Sequence, residues 1–298
     1  MKGIILSGGK GTRLSPLTQI VSKQLLPVYS KPMIHYPLAT LIGCGIKDIC
    51  IISDAVTLPL LEAHLRDGRH LGINLSYILQ PSPDGIAQAY VLAESFIGND
   101  TVALILGDNI FHGGNTKALI TAAVERTIID GGASCLGYYV NDPERYGVIK
   151  FDDNMHPQDI VEKPTTYVSN YAVPGIYITD SKAISYAKSQ DVSARGEYEI
   201  TDILKSYLLD KKLSVYVPQE MAWFDAGTID SLHEAASYIR AIERRQGIPV
   251  GSPEYESFKK LFIDEQSYIS SLSSFAKSEY GQLLRSAVRG LRISLGNP

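Results

Sequence analysis

Over its first 140 residues the chain alternates short, mainly apolar runs with longer amphipathic stretches. The runs are Lys2–Leu6, Asp48–Ser53, 75–79, 101–106 and 133–140, and the helical patterns between them are 32–43, 58–65, 87–96 and 117–129. Strands whose apolar residues run on rather than alternate need cover on both faces, and parallel strands need crossovers, which helices supply. The pattern predicts an α/β fold with a mainly parallel sheet flanked by helices. Such sheets bind ligands beyond the C-terminal ends of their strands. That rule singles out three segments, 7–13, 80–85 and 107–109, each directly after a run.

Beyond residue 140 the texture changes. Strands are predicted over 147–152, 159–162, 171–178 and 213–217, and helices over 181–189, Ile200–Leu209 and 229–244. From Pro253 onward Tyr, Leu, Phe and Ile recur at helical spacing, which suggests a small C-terminal helical cap. No Ser-, Gly- or Pro-rich linker and no fixed-period repeat interrupts the chain. We therefore expect one continuous core over 1–245 and a helical appendage over 246–298.

Charge narrows the function. With 28 basic and 32 acidic residues the net charge is −4, which argues against a nucleic-acid binder, since that needs a basic face. No run approaches the ~18 apolar residues of a membrane span, and the first apolar stretch is too short for a signal peptide. Cys44, Cys50 and Cys135 are odd in number and form no C-x-x-C, so they read as reduced, buried thiols of a cytoplasmic protein.

The loop after the first run reads Gly8-Gly9-Lys10-Gly11-Thr12-Arg13-Leu14. Its glycines let backbone N–H groups turn toward an anion, and Lys10 and Arg13 add positive charge, so the loop is a candidate phosphate cradle. It is not a Walker A loop, because no G-x-x-x-x-G-K-[ST] can be aligned, and not a dinucleotide fingerprint, because Leu14 stands where the third glycine of G-x-G-x-x-G is required. There is no G-x-S-x-G elbow, and Ser237 stands where a zincin beginning at His233-Glu234 needs its second histidine. The six histidines show no ligand spacing, which argues against zinc.

At this point the chain resembles the sugar nucleotidyltransferases. The residues that carry the likeness are Gly8–Leu14 of the loop, Lys23-Gln24-Leu25-Leu26-Pro27, Gly107-Asp108-Asn109, Pro143-Glu144-Arg145-Tyr146-Gly147-Val148, Glu162-Lys163-Pro164, Gly196-Glu197-Tyr198-Glu199 and Trp223-Phe224-Asp225-Ala226-Gly227-Thr228. The block from Gln80 through Gly85 to Ala89 looks like the version in glucose-1-phosphate thymidylyltransferases. Blocks in this order span about residues 1–285, with small departures at Ser7, Pro174 and Ala226.

The resemblance implies a Rossmann-like nucleotide-binding fold, Mg²⁺ dependence and a homotetramer. It implies that dTTP and glucose 1-phosphate give dTDP-glucose and pyrophosphate, a first step toward dTDP-deoxysugars such as rhamnose. The attacking sugar phosphate has a second pKa near ~6, so it is already mostly a dianion at pH 7 and needs no general base. The resemblance assigns Asp108 and Asp225 to the metal, with one or two carboxylates being typical for Mg²⁺. It gives Arg13, Lys23 and Lys163 to the phosphates, with Gly8, Gly9, Gly11 and Thr12 as the nucleotide loop. Gln80 and Gly85, helped by Gln24, fall to the base, since an amide offers a donor and an acceptor together. Asn109, Gly147, Glu162, Glu197 and the backbone at Val173 fall to the sugar. The alternatives are a UDP-sugar pyrophosphorylase on the same fold, a non-catalytic nucleotide-sensing subunit, and a Rossmann dehydrogenase, the last weakened by Leu14.

Overall fold

A computed structural model describes residues 1–9 and 11–294; Lys10, expected to add charge to the glycine loop, and residues 295–298 lie outside it. Seven strands form the central sheet in the order Leu213–Tyr216, Ala133–Leu136, Ile176–Thr179, Val102–Leu106, Lys2–Leu6, Asp48–Ser53 and Asn74–Leu79. All neighbours are parallel except Ile176–Thr179, which runs against both of its partners. From Lys2–Leu6 the chain steps outward through Asp48–Ser53 to Asn74–Leu79. It then returns to lay Val102–Leu106 on the other side of the first strand. That reversal is a topological switch point, where a crevice opens beyond the strand ends. Leu6 stands opposite Leu106, and the Gly107 N–H donates to the Leu6 carbonyl at 2.9 Å, so the loops after both strands emerge side by side.

Mainly apolar strands explain the three layers. Ile4 and Leu6 face a core completed by Tyr90 and Ala93 of the 88–97 segment and by Ile203 and Tyr207 of the helix Ile200–Leu209. Ile5 faces the opposite core, with Leu38 and Leu41 of the helix His35–Gly43 and Leu61 of the helix Thr57–Leu65. The cysteines are buried in these layers, and burial pushes their thiols up, to about 11 for Cys44 and Cys50 and about 12 for Cys135. No helix among the described residues is long and apolar enough to cross a membrane.

Two expected strands are each split. The 133–140 run breaks at Gly137 into Ala133–Leu136 and Tyr138–Tyr139, and the 171–178 run breaks at Pro174-Gly175 into Tyr171–Ala172 and Ile176–Thr179. Proline has no N–H for a ladder, so the chain changes sheet there. The outer halves join Pro157–Glu162 and Gly147–Phe151 in a four-stranded antiparallel sheet. A short pair, Asn109–His112 against Ala222–Asp225, was not anticipated; four residues are too few to show a period.

The helix Ile229–Gln246 begins in a Thr228–Ser231 capping box. Near its end, buried Glu243 accepts from Lys31 Nζ at 3.1 Å and from the Val250 N–H at 2.9 Å. Lys31 also lies 5.1 Å from the ring of Tyr280, so this pair links the core, the long helix and the cap. The cap comprises Pro253–Lys259, Glu265–Ser271 and Glu279–Ser294, gathered around Tyr255, Tyr268, Leu272 and Leu284. Between cap and core lies a cavity of about 810 Å³, bordered by His35, His64, Glu254 and Tyr280.

Ser7, which stands where the resembled family has Ala, is fully buried and its Oγ has no hydrogen-bond partner. An unpaired buried hydroxyl costs on the order of 1–3 kcal/mol. Ser7→Ala is expected to raise the unfolding free energy by about 1 kcal/mol in urea titrations.

Candidate active site

The loops at the switch point enclose a cleft of about 430 Å³. Of the residues singled out from sequence, Gly8, Gly9, Arg13, Lys23, Gln80, Gly85, Asp108, Asn109, Gly147, Glu162, Lys163, Val173, Glu197 and Asp225 all border it. Gly11, Thr12 and Gln24 stand back from it. Gly11 is held at φ 59° with its carbonyl accepting from Thr18 Oγ1 at 2.8 Å, and Thr12 opens the single 3-10 turn Thr12–Leu14. Leu14 is buried and fastens that turn, leaving Arg13 exposed toward the cleft. Gln24 is buried beneath the loop; it accepts from Ser22 Oγ at 2.5 Å, and its Nε2 reaches the Gly8 carbonyl at 3.4 Å. From there its amide props the Gly8 end of the loop.

Two glycines are fixed by close approach. A Cβ on Gly8 would lie 2.0 Å from Gln80 Oε1, so any side chain there would drive the amide away. At Gly85, φ is 121° and a Cβ would meet the Tyr198 carbonyl oxygen at 2.4 Å. The sequence reading had Gly85 admitting a nucleobase. Its stronger constraint is docking against Tyr198, whose N–H donates to the Asp84 carbonyl at 2.7 Å.

The acidic centre is built by the short strand pair. Asp108 ends the turn after Val102–Leu106, and Asp225 closes Ala222–Asp225 directly opposite Asn109. The Ala226 N–H donates to the Asp108 carbonyl at 3.0 Å, which binds the two turns together. Asp108 Oδ2 accepts from Lys23 Nζ, and Oδ1 accepts from Asn109 Nδ2 at 2.9 Å. Burial alone would raise the Asp108 carboxyl, but Lys23 and the Asn109 donor outweigh it and hold it below the ordinary range. Asp225 goes the other way: burial and the neighbouring Asp108 charge raise it, against Arg13, Lys23 and Arg145. Two carboxylates facing each other at such a cost suit a divalent cation, which takes oxygen ligands and relieves the repulsion. Among the described residues no cluster of three or more metal-ligating side chains occurs, so phosphate and water oxygens would have to complete the shell.

Asn109 lies at the centre of this arrangement. Besides donating to Asp108, it accepts through Oδ1 from the Gly175 N–H at 2.9 Å and from Trp223 Nε1 at 2.7 Å. It was assigned to the sugar, but its amide oxygen is committed to the fold. Val173 likewise donates its N–H to the Gly147 carbonyl at 2.8 Å, so its carbonyl is what it can offer a ligand.

On the far wall, Glu162 and Lys163 both border the cleft although they are adjacent and strand neighbours alternate. The backbone resolves this. Lys163 has φ 40°, a left-handed conformation uncommon for a residue with a side chain, just after the strand Pro157–Glu162 and just before Pro164. Strain at that one residue turns the lysine back toward its neighbour, with Nζ 3.9 Å from Glu162 Oε1. Burial and Glu199 raise the Glu162 carboxyl.

Two arginines were missed. Arg195 Nη1 donates to Glu162 at 3.3 Å and to Glu199 at 3.1 Å, and Nη2 reaches Glu197 at 3.3 Å. Arg145 borders the cleft; Nη1 donates to Asp142 at 2.7 Å, while buried Nη2 makes no hydrogen bond and forms a long ion pair with Asp225 at 3.9 Å. Arg145 lies inside a block quoted for the resemblance, so its position was visible though its charge was not used.

A model of the nucleotidyl transferase family matches residues 2–241. A glucose-1-phosphate thymidylyltransferase of Mycolicibacterium smegmatis is 48% identical over 285 residues, covering 95% of this chain and 98% of that protein. One of Xanthomonas campestris is 48% identical over 284 residues, covering 95% of each. A Bacillus anthracis structure described as a glucose-1-phosphate thymidylyltransferase in complex with sucrose superposes with a TM-score of 0.74 at 42% identity, covering 80% of this chain and 95% of that one. A UDP-glucose pyrophosphorylase complexed with UDP-glucose shares the fold, with a TM-score of 0.71 at 24% identity over 80% of this chain and 98% of that one.

The contacts of Asn109 can be tested by stability. Asn109→Leu strands the Gly175 and Trp223 donors, at about 1–3 kcal/mol for each buried N–H. Urea unfolding should show a loss of that size, whereas a change below about 0.5 kcal/mol would mean that water satisfies both donors.

Proposed function

The chain belongs to the nucleotidyl transferase family, and from that premise we propose that it is a Mg²⁺-dependent glucose-1-phosphate thymidylyltransferase. It takes dTTP and α-D-glucose 1-phosphate and releases dTDP-glucose and pyrophosphate. The observation that carries this reading is the facing pair Asp108 and Asp225, with Arg13, Lys23 and Arg145 beside it and Lys163 and Gln80 bordering the same cleft. Such a ring suits a reaction between two phosphates, in which charge must be neutralised and atoms aligned.

A phosphate oxygen of the sugar attacks the α-phosphorus of dTTP. The bond from that phosphorus to the bridging oxygen breaks, and pyrophosphate leaves. The nucleophile arrives ionised, so the absence of a cleft histidine costs the mechanism nothing. Asp108 and Asp225 would hold Mg²⁺, which would supply charge neutralisation for the triphosphate. Lys23, whose Nζ donates to Asp108 Oδ2, borders the same cleft and would meet a phosphate oxygen there. Arg13 holds the departing β- and γ-phosphates through its planar fork. Lys163 and the Nη2 of Arg145, which makes no hydrogen bond, take the sugar phosphate. Glu162, Glu197, Gly147 and the Val173 carbonyl face the sugar hydroxyls, and Arg195 keeps the acidic group in place.

By the same resemblance we place the product at the entry to dTDP-deoxysugars such as rhamnose. We read the active protein as a cytoplasmic homotetramer, and residues 246–298 as an appendage to the 1–245 core. A UDP-sugar pyrophosphorylase is the second reading, because uracil presents the same N3–H edge to Gln80 as thymine does. A matrix of nucleoside triphosphates against sugar 1-phosphates, scored by pyrophosphate release, tests both. We expect dTTP with glucose 1-phosphate to be best and UTP weaker; equal turnover of ATP or GTP would refute the base assignment.

Acidity should act through Asp225. Its carboxyl is raised by burial and by Asp108, so it protonates first as pH falls and stops serving as an ion ligand above the pH at which an ordinary aspartate would. The Mg²⁺ concentration for half-maximal rate should therefore fall as pH rises through that range. Asp225→Asn should abolish this component and leave only the part from phosphate titration near pH ~6. Identical profiles for the two proteins would remove Asp225 from the ion site.

A further inference from the structure

Behind Gln80 runs a chain of hydrogen bonds with a single permitted direction. Asp84 Oδ2 accepts from Gln88 Nε2 at 2.8 Å, and Gln88 Oε1 accepts from Gln80 Nε2 at 2.7 Å. The Ser82 hydroxyl donates to the same Asp84 oxygen. An ionised carboxylate can only accept. Gln88 must therefore turn its NH₂ toward Asp84 and its oxygen toward Gln80. Gln80 must in turn commit its NH₂ to Gln88, which leaves Oε1 on the other side, against Gly8 at the cleft. An isolated glutamine amide can flip at little cost, but this one cannot flip without breaking two hydrogen bonds in succession.

The loop carrying Asp84 is itself fixed. The Asp84 carbonyl accepts from the Tyr198 N–H at 2.7 Å, and the Ala87 N–H donates to the Tyr198 carbonyl at 3.2 Å. The direction of three side chains is thus set by one charge on an anchored turn.

We propose that Asp84 and Gln88 are positioning residues that decide which pyrimidine the cleft accepts, by holding the carbonyl of Gln80 rather than its amino group toward the base. Thymine and uracil present a donor, N3–H, at that edge; cytosine presents an acceptor, N3. A fixed carbonyl pairs with the first and meets the second lone pair to lone pair, the kind of polar mismatch that discriminates strongly. This inference rests on the reading of Gln80 as a base contact.

The test is the ratio of kcat/KM for dTTP to that for dCTP. Asp84→Asn turns an acceptor-only group into one that can donate, so the ladder can run either way. The ratio should fall at least about tenfold. Gln88→Leu, which leaves Asp84 in place but removes the acceptor for Gln80 Nε2, should relax it similarly, and serves if Asp84→Asn fails to fold. The double variant Asp84→Asn/Gln88→Glu moves the carboxylate one step along. The introduced carboxylate would then accept from both neighbours, restore the direction and bring the ratio back to within about threefold of the parent. A merely structural role for Asp84 would not be rescued in this way. Gln80→Leu separates the two levels. If it abolishes discrimination while Asp84→Asn and Gln88→Leu leave the ratio within about twofold, the positioning role is refuted and the base contact stands. If Gln80→Leu leaves discrimination intact, both fall.

Discussion

The candidate site depends on one carboxamide. Asn109 joins three parts of the chain that the sequence keeps far apart: the turn after Val102–Leu106, the turn before Ile176–Thr179 and the strand Ala222–Asp225. Its donor faces Asp108 and its acceptor faces Gly175 and Trp223, an allocation that only an amide can satisfy. An aspartate would repel Asp108, and an apolar residue would leave two donors unpaired. The relative placement of Asp108 and Asp225 follows from this hub and from the backbone bond between Ala226 and Asp108. The two acids arrive at the cleft as the ends of one small ladder rather than as independent side chains.

Charge in the cleft is arranged by contrast. Asp108 is buried yet kept ionised by Lys23 and Asn109, whereas Asp225 is pushed the other way by its neighbour. The same two side chains therefore differ in readiness to bind a cation, and the difference comes from burial, the neighbouring charges and, for Asp108, its hydrogen bonds rather than from residue type. On the opposite wall a single left-handed residue, Lys163, brings an acid and a base to the same surface. Local strain substitutes there for an extra residue in the loop.

Most of the central sheet was legible because mainly apolar runs carry their own signature, and Lys2–Leu6 and Asp48–Ser53 begin and end as read. What was illegible shares one cause: decisions made by partners distant in sequence. Gly137 and Pro174-Gly175 divide runs that look continuous, because each half pairs with a different sheet. Asn109–His112 and Ala222–Asp225 form only by finding each other. The site followed the same rule. Gly8, Gln80, Asp108 and Asp225 were visible through their motifs, while the uses of Gln24 and Asn109 depend on which neighbour claims each amide. Arg145 and Arg195 were overlooked because an arginine gains meaning only from the acids around it.

The switch-point topology also bears on how the polypeptide is made. Lys2 pairs with Val102, so one side of the first strand stays without its partner until about a hundred further residues have been synthesised. Before then the segment through Leu79 can assemble three parallel strands, with the Lys2–Leu6 edge bare. A bare parallel edge of Ile and Leu is a template for unwanted pairing between nascent chains. The strand that covers that edge, Val102–Leu106, also carries Asp108 at its end. Protection from aggregation and the first half of the acidic centre are therefore delivered by the same stretch of translation.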